Sequence, residues 1–350
     1  MFDLDTLNSY ASRGLIKSSA RDGYTVWCYT QECVVTHQWD DVTKACRGLI
    51  MSDAGELVAR PLPKFFNHDQ AEAVVEGGPF FAYDKMDGTL IVVGEHNGNA
   101  VVSTKGSFDT WHSEAARGLL LGFVPPKGVT VLFEFIHPEN RIVIDYGDYT
   151  GLVFLTALSN ETGEDLGRPN DVALDLGWHG DAVVERSFHL QSMITTIQNP
   201  EAGPNREGFV VAWPKQGAPW NRVKLKFDLY VKLHGIYTGL TNRRVWECMM
   251  DETIAELLEI APDEFHPAIK ELQDEIEEQA WALTTAAQVI GFEAQAFEAR
   301  KDAAAYIIER ADGAIRGLAF KALDGKPIFK EAVRLSRPET SRFVGTAGLS

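Results

Sequence analysis

The sequence changes character near residue 240, and this change limits the fold more than any other feature. Before it, short apolar runs alternate with turn residues; after it, an alanine- and glutamate-rich segment has helical spacing. A chain of 350 residues is long enough to bury a core in each of two domains. We therefore predict an α+β fold, with antiparallel sheets and flanking helices in residues 1–240 and an all-α domain in residues 241–350.

The first part carries a series of predicted strands and fewer helices. Asn97-Gly98 between two apolar runs predicts a hairpin with a type I′ turn over 89–106. Further strands are predicted at 25–30, 32–37, 47–52, 56–60, 130–137, 141–146, 152–158, 208–213 and 223–227, and helices at 109–121, 170–176 and 186–198. In the second part, Pro262 and Gly291 are predicted to break the helical pattern, and a last helix to begin near Pro327.

The cysteine content and the hydropathy limit the classes of protein to which the chain can belong. The four cysteines, Cys28, Cys33, Cys46 and Cys248, have no metal-type pairing and are too few for a disulfide framework. No apolar run reaches the length of a membrane span, and the N-terminus lacks the apolar core of a signal peptide. We expect a reduced protein of the cytoplasm, or of a host's cytoplasm if it is viral.

The distribution of charge along the sequence is more informative about possible partners than the net charge is. The formal net charge of −17 argues weakly against a nucleic-acid partner. Residues 251–280, however, hold eleven acids and one base, whereas residues 300–350 hold ten bases and six acids. The acidic run is typical of a solvated helix face, and the basic segment is a candidate surface for a polyanion.

Lys85 is the first candidate for chemistry, because it lies at the mouth of a predicted strand and is followed by Asp87-Gly88. A lysine attacks well only when burial or neighbouring cations lower its pKa. The alternative is that Lys85 is an exposed lysine in a turn. Residues at the other predicted strand ends are needed to distinguish the two interpretations.

Four further cations stand beside strand or turn signals. Lys224 and Lys226 are two apart on a predicted strand, so both side chains point to one face. Two ammonium groups there repel each other unless an anion such as a phosphate lies between them; the alternative is a solvated strand face. Arg47 and Lys64 are placed where they could also meet phosphate.

Two carboxylates interrupt apolar runs. Glu134 lies between Phe133 and Phe135, and Glu207 comes just before the run 208–213. Carboxylates in such places are either surface groups at strand ends or ligands for a cation or a sugar hydroxyl.

An ordered series of motifs joins these residues between about 45 and 235. In chain order the motifs are CRGLI, RPLPKFFN, KMDGTL, STKGS, LFEFIHPENRIVIDY, LVFLTAL, EGFVV and VKLKF. By this series the chain resembles the covalent nucleotidyltransferases, and within them the ATP-dependent RNA ligases of the phage T4 RNA ligase 1 type. The resemblance implies a nucleotidyltransferase (ATP-grasp-like ligase) fold for the first domain.

The resemblance also implies a three-step reaction. Lys85 would attack the α-phosphate of ATP, form a lysyl-AMP phosphoramidate and release pyrophosphate. The AMP would pass to an RNA 5′-phosphate, and a 3′-hydroxyl would then displace it and close the strand. The implied role is RNA repair, and the sequence leaves open which RNA is joined and whether the break is in tRNA.

The implied roles of the other candidates fall into two groups. Those that contact phosphate are Lys224 and Lys226, which would also help to lower the pKa of Lys85, together with Arg47 and Lys64. Those that contact the rest of the nucleotide or a metal are Glu134 at the ribose, Phe154 under the adenine, Asp87 and Gly88 at the turn beside the nucleotide, and Glu207 at Mg²⁺ or Mn²⁺.

Two alternatives remain open, and a third is excluded as far as the sequence allows. A DNA ligase or an RNA-capping relative would usually append a small β-barrel, whereas residues after 240 have a helical pattern. A non-catalytic nucleic-acid-binding protein on the same fold would not need the lysines and both carboxylates together. A P-loop phosphotransferase is disfavoured because no GxxxxGK[ST] occurs, and no HExxH or Cys/His cluster suggests zinc. The helical domain is expected to select the RNA.

Overall fold

The computed structural model describes residues 2–199, 205–231, 240–261, 265–311, 313–341 and 344. The chain forms two compact units, Met1–His234 and Gly235–Ser350. The first combines antiparallel sheets with helices, and the described part of the second is helical. The predicted α+β fold class is therefore confirmed. Among the described residues, no helix is long and apolar enough to cross a membrane.

The first sheet is a four-stranded antiparallel meander near the N-terminus. Its strands, in spatial order, are β1 (Ile16–Arg21), β2 (Tyr24–Tyr29), β3 (Arg47–Ser52) and β4 (Leu57–Ala59). Three helices accompany it: α1 (Leu4–Ser12), α2 (Gln31–Val35) and α3 (Asp41–Ala45). Leu7 of α1 packs against Trp27 and Met51, so α1 covers one face of this sheet.

The second sheet has the order β10-β9-β7-β8 and contains the predicted hairpin. Its strands are β7 (Thr89–His96), β8 (Asn99–Thr104), β9 (Val129–Ile136) and β10 (Gly151–Ser159). Asn97 and Gly98 have φ values of 54° and 78°, as a type I′ turn requires. Helices α4 (Trp111–Leu119) and α5 (Pro169–Asp175) pack on one face of this sheet.

The third sheet carries Lys85 and the paired lysines. Its strands, in spatial order, are β11 (Glu185–Arg186), β6 (Phe81–Lys85), β12 (Gly208–Trp213), β13 (Asn221–Lys226) and β5 (Phe66–Asn67). All neighbours are antiparallel except β13 and β5. Helix α6 (Leu190–Ile197) buries Met193 and Ile197 against it.

Three predictions about elements of the first part were wrong. Residues 32–37 do not form a strand: Gln31–Val35 is α2, capped by the Thr30 hydroxyl, which accepts a hydrogen bond from Cys33 N. Residues 141–146 do not form one either, because Val143 N and Ile144 N donate to Asp87 Oδ2 instead of to a neighbouring strand. Helix α6 starts at Leu190, four residues later than predicted, because Glu185–Arg186 pairs with β6.

The second unit is built around one long helix. In chain order its described helices are α7 (Asn242–Asp251), α8 (Ile254–Ile260), α9 (His266–Ala294), α10 (Arg300–Arg310), α11 (Gly313–Leu323) and α12 (Phe329–Leu335). Gly291 lies inside α9, so the predicted break there is wrong. A Cβ at Gly291 would lie 2.8 Å from the Cβ of Ala322, so glycine lets α11 approach closely. The predicted break at Pro262 lies outside the described residues.

Candidate active site

The pairing register of the third sheet brings three predicted site residues, Lys85, Glu207 and Lys226, close together. Gly208 on β12 pairs with Lys85 on one side and with Lys226 on the other. Glu207 directly precedes Gly208, and its Oε1 lies 2.7 Å from Lys85 Nζ and 3.4 Å from Lys226 Nζ. The candidate nucleophile therefore begins in an ion pair, beside a second ammonium group.

Gly208 explains why Glu207 can lie so close to the sheet. The glycine has φ +154°, and a Cβ there would come within 1.9 Å of the carbonyl oxygen of Leu225. Glu207 is only 3% exposed, and in the described part of the chain its Oε2 has no hydrogen-bond partner. A buried carboxylate oxygen without a donor costs free energy, so this atom fits a ligand that the protein itself does not supply.

Lys224 lies two residues before Lys226, in the most cation-rich part of the site. Burial, and then the charges of Lys64 and Lys226, hold the pKa of Lys224 well below its usual range. Its ammonium lies 5.3 Å from the ring centre of Phe65, and the guanidinium of Arg47 lies 5.7 Å from the same ring. The free site thus concentrates positive charge that an anion would relieve.

Glu134 faces the loop after Lys85 from the neighbouring sheet. Its Oε1 accepts a hydrogen bond of 3.0 Å from Gly88 N, and burial, opposed in part by Lys85, raises its pKa to about 7. A Cβ at Gly88 would lie 2.4 Å from the carbonyl oxygen of Phe135. This corrects the expectation for Gly88: the glycine allows close approach to β9, and a tight turn beside the nucleotide is not what requires it.

Asp87 holds the turn after Lys85, which is one of the roles expected for it. It is 5% exposed, and its carboxylate accepts hydrogen bonds from Val143 N, Ile144 N and the hydroxyl of Tyr230. All three bonds lie between 2.8 and 2.9 Å. Asp87 therefore fixes the loop that follows Lys85 and has little capacity left to bind a nucleotide.

Five of the candidate residues line a cavity of about 130 Å³: Arg47, Lys85, Glu134, Lys224 and Lys226. Glu207 contacts two of these lysines but does not itself line the cavity. The charged lining of the cavity consists of Arg47, Lys85, Arg222, Lys224 and Lys226 against Asp84 and Glu134. Arg222 is compensated by a buried ion pair with Asp165, which leaves the other cations to face the cavity. The rest of the lining is largely apolar, from Leu62, Phe65, Met86, Leu90, Leu155, Val183 and Val210. Such a cavity suits a ligand with an apolar ring and an anionic tail.

Phe154 is not part of this cavity, which corrects the prediction that it supports adenine. It is fully buried in the core between the second sheet and its helices, 5.6 Å from the ring centre of Phe133. A β-bulge interrupts the pairing of β10 between Phe154 and Thr156. The bulge breaks the regular alternation of side chains, and Leu155 and Thr156 line the cavity instead.

Lys64 does not line the cavity either, although it lies near Lys224. It is 8% exposed, and its ammonium lies 5.2, 5.4 and 5.6 Å from the ring centres of Tyr29, Trp39 and Phe66. It also borders a second cavity of about 380 Å³. Its charge still lowers the pKa of Lys224, so both lysines share one electrostatic environment.

Residues 45–230, just over half of the chain, match the family model described as RNA ligase, of the T4 RNA ligase 1 type. The chain belongs to this family. Two relatives are similar over parts of their length. A candidate RNA ligase of Thermovibrio ammonificans is 28% identical over 216 residues, which cover 56% of this chain and 54% of that protein. A candidate bifunctional polynucleotide kinase/RNA ligase of Autographa californica nuclear polyhedrosis virus is 26% identical over 228 residues, which cover 55% of this chain and 31% of that protein.

The chain thus spans about half the length of the first relative and about a third of the second. Among solved structures, an archaeal ATP-dependent RNA ligase is 14% identical, with a TM-score of 0.46 over 70% of this chain and 64% of that chain. This similarity is too low to assign a role to any residue.

The candidate site has neighbouring residues that the sequence did not single out. Lys105 Nζ lies 4.7 Å from the ring centre of Tyr29 and 3.4 Å from its hydroxyl, so Tyr29 contacts both Lys105 and Lys64. The available signal was the motif STKGS, which contains Lys105. Asp84, one residue before Lys85, is bridged by Arg186 and Arg206, and nothing near these arginines in the sequence marks that contact.

No group of three or more His, Cys, Asp or Glu side chains within the described ranges is arranged to hold a metal ion. A divalent cation at Glu207 would therefore need most of its ligands from water and from a bound phosphate.

Proposed function

We propose that this chain is an ATP-dependent RNA ligase that joins RNA 3′-hydroxyl and 5′-phosphate ends through a lysyl-AMP intermediate. The observation that carries the proposal is the convergence of Lys85, Lys224, Lys226 and Arg47 on one cavity, which Glu134 also lines and where Glu207 contacts two of the lysines. Membership of the RNA ligase family supports the same reaction.

In the first step, Lys85 Nζ attacks the α-phosphorus of ATP. The Lys85 ammonium first gives a proton to solvent. Nζ then forms the nitrogen–phosphorus bond as the bond to the pyrophosphate oxygen breaks, and it releases a second proton to solvent. Lys85 must first leave Glu207, which lies 2.7 Å away in the free protein. Lys224, Lys226 and Arg47 neutralise the charge that spreads over the phosphate oxygens, and Glu134 accepts the ribose hydroxyls.

A divalent cation, Mg²⁺ or Mn²⁺, fits the residues at the Glu207 edge of the cavity. The buried Oε2 of Glu207 is an oxygen ligand of the kind that both ions accept. When bound, the cation supplies charge neutralisation for the phosphates. Glu207 would hold it, while Lys226 would take over the Oε1 contact that Lys85 gives up.

In the later steps, AMP moves from Lys85 to an RNA 5′-phosphate oxygen, which frees the lysine. The 3′-hydroxyl of a second end then attacks that phosphate, and AMP leaves as the phosphodiester forms. We assign the unit Gly235–Ser350 to RNA selection, place the reaction in the cytoplasm, and infer a role in RNA repair with broken tRNA among the substrates.

The decisive experiment is covalent labelling with ATP that carries the label at the α-phosphate, in the presence of Mg²⁺. Wild-type protein should form an adduct that survives denaturation, is labile to acid and is stable to base, as a phosphoramidate requires. Lys85→Ala should abolish the adduct, and Lys85→Arg should too, because a guanidinium stays protonated. Both variants should still seal RNA that is already adenylylated.

The alternatives give different results in the same assay. If no nucleoside triphosphate labels the wild-type protein, the ligase proposal fails and a nucleic-acid-binding protein replaces it. If the label appears but moves only to DNA or to a 5′-diphosphate end, the lysine chemistry stands and the RNA substrate is wrong.

A further inference from the structure

One group of aromatic side chains on the first unit remains without a role in the lysine chemistry. Trp111 is 43% exposed at the start of α4, although tryptophan is a large apolar residue. Its ring lies 4.2 Å from the ring centre of His112 with 30° between the planes, and 5.3 Å from that of His137 at 75°. We call Trp111, His112 and His137 the aromatic platform.

The aromatic platform is fixed by contacts with the strand that carries Glu134. Trp111 lies edge-on to Phe135, 5.6 Å between ring centres, and His137 stacks on Phe135 at 5.9 Å. His112 Nε2 donates to Asn140 Oδ1 at 2.9 Å, and Asn140 Nδ2 donates to the carbonyl oxygen of Phe135. The platform is therefore held by several contacts, while Trp111 remains 43% exposed.

The aromatic platform is also continuous with the candidate active site. Asn140 is hydrogen-bonded to the hydroxyl of Thr89, which directly follows Gly88, and Gly88 N donates to Glu134. A cavity of about 260 Å³ extends from His137 to Asp87 in the loop after Lys85. A ligand on the platform would thus lie beside the loop that positions the nucleophile.

The chemistry of the surroundings favours a base over a phosphate as the ligand. Arg141 lines the 260 Å³ cavity, but it is paired with Asp145, and Asp148 lines the same cavity. The platform itself adds little positive charge, because burial lowers the pKa of His112 below its usual value. An acidic rim repels a phosphate, whereas an accessible indole stacks on any base.

We propose that the aromatic platform stacks a nucleobase of the substrate RNA close to the end that reacts, with Trp111 as its main contact. The proposal rests on the proposed RNA ligase function and adds a substrate-binding surface to it. Single-stranded RNA suits this surface because its unpaired bases can leave their own stack and lie on an aromatic ring.

The first test measures RNA binding directly, so it does not depend on catalysis. The probe is a short 5′-phosphorylated RNA with a 3′ fluorophore, followed by fluorescence anisotropy. Trp111→Ala should weaken binding about tenfold, the loss of one stacked base. Trp111→Phe should retain most of the affinity. Trp111→Leu keeps an apolar contact with Phe135 but loses the stack, so it should behave as Trp111→Ala does.

The second test separates stacking from a structural effect. A set of RNAs with one abasic nucleotide, moved stepwise from the reactive end, is titrated with wild type and Trp111→Ala. At one position the two proteins should bind equally, because the base that Trp111 would stack is already absent. The matched control is Leu121→Ala, which changes a residue just beyond α4 that is 91% exposed and should alter neither titration.

Lysine labelling distinguishes the two proposals. Trp111→Ala should label Lys85 with AMP at the wild-type rate but seal adenylylated RNA about tenfold more slowly. If Trp111→Ala and Trp111→Leu bind and seal RNA as the wild type does, the platform proposal is wrong while the ligase function stands. If every abasic RNA keeps the full difference between wild type and variant, the effect is structural and the proposal is also wrong.

Discussion

At the scale of single residues, Lys224 shows how function and stability oppose each other. Three lysines and two arginines border the same cavity, and one of the arginines, Arg222, is paired with Asp165. The carboxylates of Glu134 and Glu207 already contact Gly88 and Lys85. Burial and neighbouring cations lower the pKa of Lys224, whereas Lys226 lies 3.4 Å from Glu207. In the free protein, a positive charge is therefore less favourable on Lys224 than on Lys226, although both side chains lie on one face of β13.

This difference predicts opposite effects of two matched substitutions. Lys224→Met should raise the free energy of unfolding, because it removes a desolvated ammonium group for which the described residues show no ion-pair partner. Lys226→Met should lower it, because it removes one cation from a buried carboxylate. Both should reduce lysine adenylylation roughly 100-fold or more, the usual scale for losing a group that neutralises transition-state charge. Urea unfolding and labelled-ATP uptake measure the two effects, and near-normal adenylylation of both variants would remove these lysines from the site.

Glu134 predicts a pH dependence of stability. Burial raises its pKa from 4.5 to about 7, so the folded protein holds a proton that the unfolded chain releases between these values. Wild-type protein should therefore lose stability as pH rises from 4.5 through 7, relative to Glu134→Gln, which cannot ionise. Urea midpoints at pH 4.5, 6 and 8 measure this difference. Parallel curves for the two proteins would mean that Glu134 ionises at its ordinary pKa.

The site residues that could be predicted owe their positions to local sequence patterns, whereas the others owe their positions to tertiary structure. Period two put Lys224 and Lys226 on one face, and the Lys-x-Asp-Gly pattern marked Lys85. What the sequence does not contain is the strand order β6-β12-β13, which sets Glu207 between Lys85 and Lys226. Phe154 was misplaced because a β-bulge, invisible in an apolar run, decides which neighbouring side chain reaches the cavity.

At the scale of elements, long-range hydrogen bonds explain where the strand predictions were wrong. The segment 141–146 alternates like a strand, but the carboxylate of Asp87 takes the place of a strand partner for Val143 and Ile144. The segment 32–37 is rich in β-branched residues, yet the Thr30 cap starts a helix there. The hairpin 89–104 was predictable because its turn chemistry is local.

The same carboxylate predicts the stability of that segment. Asp87→Asn should lower the free energy of unfolding by about 2 kcal/mol, because one acceptor oxygen becomes a donor that faces other donors. Tyr230→Phe removes only one of the three hydrogen bonds and should cost about 1 kcal/mol. Equilibrium urea unfolding of the two variants measures both losses. Equal stability of Asp87→Asn and wild type would show that the carboxylate does not hold the segment.

At the scale of the whole molecule, the candidate reactive residues and the two strongly charged segments lie in different parts of the chain. The residues that surround the cavity all lie within Met1–His234, whereas the acidic run 251–280 and the basic segment 300–350 lie within Gly235–Ser350. The matched family region, residues 45–230, also ends before the second unit. Because the candidate residues that line the cavity all lie in the first unit, we propose that the second unit binds or selects the substrate.

This division predicts the behaviour of a chain that ends at residue 234. The shortened protein should still form the AMP adduct of Lys85, because its cavity and the lysines of β13 are retained. It should lose preference among RNA substrates, since the basic segment that could grip a polyanion is removed. The measurements are labelled-ATP uptake and competition between looped, nicked and single-stranded RNAs. As a control, full-length protein with Lys326, Lys330 and Arg334 changed to Gln should lose preference in the same direction and keep uptake. Unchanged preference in both proteins would return RNA selection to the first unit, whereas lost uptake in the shortened chain would place part of the adenylylation machinery beyond residue 234.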